Sequence, residues 1–204
     1  MVRSLALVVL TIGLALLGGC AQSATSTTPV PALEQGTRID PPLPLSDFTL
    51  PSSLGRPLSL SELRGKPVAL FFGYTFCPDV CPLTLSELKR ARSALGAAGD
   101  QLQVLFVSVD PERDTPEVLA RHLSNFDPSF IGMQGDEAVL RQIGKEYGLY
   151  YKKNTPEGTS AAYLVDHSSA LYLIDAEGRL RIIYSFGTSP EVIAAGVREL
   201  LEQQ

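Results

Sequence analysis

Beyond residue 45 the chain alternates between two hydrophobic rhythms. Pro67-Val-Ala-Leu-Phe-Phe-Gly-Tyr74 is an unbroken apolar run of strand length, the pattern of a strand covered on both faces. Directly after it, Leu85, Leu88, Ala91 and Leu95 recur at helical spacing within residues 83–95. The same alternation continues with a strand over 102–109, a helix from Pro116 to Phe126, a short apolar strand near Phe130 and a helix from Glu137 to Tyr147. Two further strands, Ala170 to Asp175 and Arg179 to Tyr184, flank the turn Ala176-Glu177-Gly178, and a last helix runs from Pro190 to Glu202. Ahead of all of these, Asp47 to Leu50 and Pro57 to Leu60 alternate around the turn-rich stretch 51–55, which predicts an opening hairpin.

Strands interleaved with helices predict βαβ units and a parallel sheet, and the late hairpin adds an antiparallel edge. The expected fold class is therefore α/β: a central mixed sheet with helices on both faces and an N-terminal β-hairpin, a thioredoxin-like order of elements. At 204 residues the chain is long enough for one such domain, over residues 45–204, with additional segments at its N-terminal end. Those segments differ in composition from the domain. Residues 1–19 carry Arg3, then an apolar run from Leu5 to Leu17, then small residues, which is the layout of an export signal. As a helix that run would rise only about 20 Å, short of a hydrocarbon core of roughly 30 Å. Leu17-Gly18-Gly19-Cys20 resembles a bacterial lipoprotein box, so Cys20 is the expected lipidation site. Residues 20–44 are rich in Ser, Thr and Pro, and read as a flexible tether. The domain is thus expected at the extracytoplasmic face of a bacterial cell membrane, with a signal anchor as the other way of holding it there. A net charge of −5 without any Lys/Arg-rich run argues against a nucleic-acid partner.

The chemistry concentrates in FFGYTFCPDVCPLTL, residues 71–85. Proline is tolerated in the first helical turn, where its missing N–H costs little, so Pro82 predicts a helix beginning at or just after Cys81. Cys77 then lies in the turn leaving the strand. Both sulfurs are expected at the carboxyl end of a sheet strand, beside the positive end of a helix dipole that favours thiolate. If Cys20 is lipidated, Cys77 and Cys81 are the two cysteines left. As a purely structural disulfide they would close a loop so short that the chain entropy removed is worth only about 2 kcal/mol. Thiol–disulfide exchange is the stronger reading, but three residues separate the cysteines and the segment expected to face them, Val165 to Ser169, offers a histidine in place of a proline. His167 is expected in a loop returning to the same end of the sheet, whereas His122, in the helix PEVLARHLSNF, reads as a surface or boundary residue. Two thiolates and an imidazole suit copper in either oxidation state. Zinc stays open as second choice, with Asp79 or Asp166 as oxygen donors. In VSVDPERDTPEVL, residues 107–119, Asp114 reads as a helix N-cap ahead of Pro116. The stretch from Asp110 to Asp114 is a candidate rim for the site.

These stretches, together with YGLYYKK at 147–153 and VDHSSALYLID at 165–175, resemble the Sco/SenC copper chaperones of cytochrome oxidase assembly. The resemblance covers residues 45–204 and implies Cu(I) and Cu(II) as cargo, with Cys77, Cys81 and His167 as ligands. It further implies a redox disulfide between Cys77 and Cys81, and assistance to assembly of the binuclear copper (CuA) centre of cytochrome c oxidase. The implied partners are the copper-bearing oxidase subunit, a copper donor protein and a thiol reductant. A metallochaperone of this kind is not an enzyme. The rival reading is a thiol–disulfide oxidoreductase that reduces the oxidase subunit's copper-ligand cysteines.

Overall fold

The computed structural model describes residues 36–155 and 162–203. In chain order the strands and helices are β1 (Thr37–Pro44), β2 (Thr49–Pro51), β3 (Pro57–Ser59), β4 (Val68–Gly73), α1 (Val80–Leu95), β5 (Gln103–Ser108), α2 (Pro116–Ser124), β6 (Ile131–Met133) and α3 (Glu137–Tyr147). They continue with β7 (Tyr151–Asn154), β8 (Leu164–His167), β9 (Leu171–Ile174), β10 (Arg179–Tyr184) and α4 (Pro190–Glu202). A six-stranded sheet has the order β1-β10-β9-β4-β5-β6, while β2-β3 and β7-β8 are separate two-stranded hairpins. β4, β5 and β6 run parallel, and β9, β10 and β1 complete the sheet antiparallel.

Period-two alternation in the central strands sorts their side chains into two cores. From β4, Ala69 and Phe71 join α1, α2 and α4 through Leu85, Leu88, Leu119, Ile193 and Val197. Val68, Leu70 and Phe72 face the other way, toward Leu140, Ile143 and Tyr147 of α3 and toward Leu50 and Leu58 of the β2–β3 hairpin. Every residue of β4 is buried, as its apolar run requires, and each of its large side chains contributes roughly 1.5–3 kcal/mol by leaving water. The second core is closed by a T-shaped cluster of Phe72, Tyr147 and Tyr172, in which the Tyr172 hydroxyl donates to the Tyr147 carbonyl. Its function is mechanical. The cluster fixes the strand whose carboxyl end carries the cysteines.

Four local features differ from the sequence expectation. Residues 37–44, placed in the tether, form edge strand β1, so the domain begins earlier than Leu45; the export signal and Cys20 lie outside the described residues. An edge tolerates prolines because one side of its backbone needs no partner, and β1 is exposed along most of its length. Helix α1 starts at Val80 with Asp79 at the N-cap position, which puts Cys81 and Pro82 inside the first turn. Thr115, rather than Asp114, caps α2 by accepting from the Val118 amide. His167 is the last residue of β8, in a hairpin with β7, instead of a loop residue.

Candidate metal centre

The parallel β4–β5 pair delivers the chain to residues 74–79 at its carboxyl end, and the turn there is fastened from beneath. Asp114 is fully buried and accepts from the Thr75 amide at 2.9 Å, the Thr75 hydroxyl at 2.5 Å and the Ser108 hydroxyl at 2.6 Å. The Cys77 amide then donates to the Tyr74 carbonyl, and the Cys81 amide donates to Cys77 Sγ at 3.4 Å. One further turn fixes the second thiol. Cys81 is buried against the first core, at the start of α1, while Cys77 is half-buried. Both are free thiols.

His167 comes from the opposite side. Its Nδ1 lies 2.8 Å from the Ser168 carbonyl, which assigns the proton to Nδ1 and leaves a lone pair on Nε2. Nε2 is 3.5 Å from Cys81 Sγ. The ring is held edge-on by Phe71 and Tyr74, with centroids 6.1 and 5.7 Å away. Ligand atoms of Cys77, Cys81 and His167 all lie within 4.8 Å of one another, the one such group of three among the described residues. Donors this close can converge on one soft ion with small adjustments. Neither Asp79 nor Asp166 is part of the group, so among the described residues no fourth protein donor of the kind a structural zinc site uses joins it. His122 is also outside it. Its ring packs on Phe126, and burial pushes its pKa down.

The two thiols are electrostatically unequal. The hydrogen bond from Cys81 holds Cys77 down at about 4, against the opposing effect of burial, with His167 and the Asp79 and Cys81 amides adding to the stabilisation. Burial, followed by the interaction with Cys77, pushes Cys81 up. Reduced protein is therefore expected to favour the thiolate at Cys77 and the thiol at Cys81. Alkylation by iodoacetamide is expected to modify Cys77 first, at a rate that is flat near neutrality and falls as the pH drops through about 4. Mass mapping of the modified peptide over a pH series checks this; a rate still climbing up to pH 8 to 9 contradicts it.

Sequence reasoning missed part of the supporting shell. Gly73 touches the thiol: a Cβ there would stand 2.8 Å from Cys81 Sγ and 2.7 Å from Phe106 Cε2. Its position one residue before the aromatic Tyr74, at the end of an apolar strand, was the available signal. Asp110 to Asp114 do border the site, but as ties beneath the turn and not as donors. Arg113 is the least foreseeable member, because its partners are distant in sequence.

A mixed sheet presenting a dithiol at a strand-to-helix junction, opposite a histidine, defines a thioredoxin-like domain with a Cys₂His cluster of the kind that could hold a soft metal ion. The chain belongs to the SCO1/SenC family, whose pattern matches residues 38–202. The copper-bound ScoI of Bradyrhizobium japonicum is 38% identical and superimposes with a TM-score of 0.68 over 77% of this chain and 99% of that one. Apo Sco1 of Thermus thermophilus is 43% identical with a TM-score of 0.71, covering 81% and 96% respectively. The mitochondrial SCO2 homolog of Bos taurus is 38% identical over 154 residues, 74% of this chain and 58% of that protein. The matched region thus spans little more than half of the bovine relative's length.

Proposed function

We propose that this protein is a membrane-tethered copper metallochaperone which binds Cu(I) or Cu(II) through Cys77, Cys81 and His167 and assists assembly of the CuA centre of cytochrome c oxidase. The convergence of two sulfurs and a correctly tautomerised imidazole nitrogen within 4.8 Å carries this reading. The copper found in the B. japonicum relative supports the choice of metal. Delivery requires that the metal be held and also surrendered, and three donors with a half-buried sulfur at the rim suit exchange better than a closed four-ligand cage. Both thiols must be reduced before loading, so in an oxidising compartment the dithiol–disulfide couple gates copper uptake. The tether is the segment preceding β1, with lipid on Cys20 as its anchor at the extracytoplasmic face. Its partners are the copper-bearing oxidase subunit, a copper donor protein and a thiol reductant.

The experiment is copper titration of the soluble domain from Gly36 onward. Reduced protein is expected to take up one copper and, with Cu(II), to show an intense thiolate-to-copper charge-transfer band. His167→Ala should alter that band and weaken binding about tenfold or more, roughly 1.4 kcal/mol for each factor of ten. Equal affinity and an unchanged spectrum would remove His167 from the ligand set.

The inequality of the two thiols favours a second reading. An acidic Cys77 beside a protonated Cys81 is the asymmetry that thiol–disulfide exchange uses, with one sulfur attacking and the other resolving. As an oxidoreductase the protein would reduce the oxidase subunit's copper-ligand cysteines without metal. Rapid reduction of a target disulfide by metal-free protein, retained in His167→Ala, would shift the assignment to this alternative.

A further inference from the structure

The candidate donors come from two bodies. Cys77 and Cys81 follow β4 of the main sheet, while His167 ends the separate β7–β8 hairpin. Something must set the distance between them. Arg113 spans that gap. Its guanidinium carbon lies over the rings of Tyr74 at 5.7 Å and Phe76 at 4.7 Å, both in the turn that leads into Cys77, and over Tyr163 at 3.7 Å, immediately before β8. Nη1 donates to the Tyr163 carbonyl at 3.0 Å, so the arginine grips that residue by backbone and ring together. Behind it, the fully buried Asp110 accepts from Arg113 Nε at 2.5 Å and from the Tyr163 hydroxyl at 2.7 Å. Lys153 of β7 closes the other side, 4.9 Å from the Tyr163 ring and paired with Glu112 at 2.6 Å.

We propose that Arg113, anchored by Asp110 and clamped on Tyr163, is a positioning residue that fixes the His167 hairpin against the cysteine turn and so sets the Cys–His separation of the metal site. It touches no donor atom among the contacts that hold the site, and it acts through Tyr74, Phe76 and Tyr163. A cation stacked on aromatic faces is attracted to each of them, and the hydrogen bond to the Tyr163 carbonyl adds direction. A lysine in its place would keep a charge but lose the planar fork.

The inference rests on the copper reading, and its test separates the two. In reduced protein titrated with Cu(II), Arg113→Gln is expected to keep a one-to-one stoichiometry through the two sulfurs, lose the His167 nitrogen couplings in the electron paramagnetic resonance spectrum, and weaken binding about tenfold, within the 10- to 100-fold range usual for residues supporting ligands. Combined with His167→Ala it should add less than about twofold to the single His167 effect, because both remove the same interaction. Arg113→Lys should fall between Arg113→Gln and the unsubstituted protein. If Arg113→Gln does not fold, Tyr163→Leu, which removes the stacking ring and hydroxyl but leaves the Arg113–Asp110 pair, should give the same loss of nitrogen coupling. Retained coupling, or effects that add fully in the double variant, would overturn the role of Arg113. A metal-free arm reads the clamp without copper: the His167 ring sits edge-on to Phe71 and Tyr74, so Arg113→Gln should shift its ring proton resonances. If unsubstituted protein takes up no copper, the metallochaperone reading fails, while moved His167 resonances still sustain the clamp and unmoved ones dismiss it.

Discussion

Asp114→Ala is expected to destabilise the reduced, metal-free domain by about 3 kcal/mol or more. The carboxylate is fully buried and accepts from three donors, the Thr75 amide, the Thr75 hydroxyl and the Ser108 hydroxyl. Removing it strands these donors away from water at roughly 1–3 kcal/mol each where solvent cannot reach them, and the cavity adds to the loss. For a domain of this size each kcal/mol lowers the melting temperature by about 2–4 °C, so thermal unfolding should move down by about 6–12 °C. Asp114→Asn keeps the shape and one acceptor oxygen and should lose less. The copper site should suffer in both, because Thr75 sits two residues before Cys77. A change of less than about 0.5 kcal/mol for the alanine variant, in denaturant or heat, would mean that this buried triad is not what holds the turn.

Gly73→Ala should damage the site more than its single methyl group suggests. The added carbon would meet Cys81 Sγ at 2.8 Å and Phe106 Cε2 at 2.7 Å, with Phe106 itself fully buried and in contact with Phe71. Neither neighbour is a free chain end. The phenyl ring is wedged in the first core and the thiol is confined at the start of α1, so relief has to come from displacement of one of the donor atoms or from the core. Overpacking of this kind typically costs about 1–3 kcal/mol. The expected result is a stability loss in that range, together with a changed charge-transfer band and weaker copper uptake. Wild-type stability with a wild-type spectrum would show that the strand end yields without moving Cys81.

The buried half of this fold was legible because burial writes itself into sequence. The run through Val68 to Gly73 and the helical spacing of Leu85, Leu88, Ala91 and Leu95 leave few alternatives. Exposed strands leave no such trace. β1 contains Pro41, Pro42 and Pro44 and shows little apolar alternation, and β7 reads Tyr-Lys-Lys-Asn; both are strands through pairing with β10 and β8, which no local pattern displays. Asp114 followed by Thr115 and Pro116 offers two adjacent caps of similar quality, and only the tertiary demand of Thr75 and Ser108 decides that Asp114 turns inward. Of the candidate site, Cys77, Cys81 and His167 were recognisable by chemistry and come together in space. Arg113 and Tyr163 were not, since a residue that works by stacking on sequence-distant rings has no motif of its own.

Placing His167 on a hairpin outside the main sheet separates two kinds of stability. Cys81 is buried at the start of α1 and Cys77 is half-buried in the turn after β4, so both are carried by elements of the main sheet and its first core. The imidazole belongs to a four-residue ladder, so a local opening of β7 from β8 would withdraw it at far smaller free-energy cost than global unfolding. If the Cys₂His cluster holds an ion, such an opening would leave it for that time to the two sulfurs alone. The hold on the imidazole would accordingly be set by this ladder together with the Arg113–Tyr163 clamp, apart from the forces that fix the melting temperature of the domain.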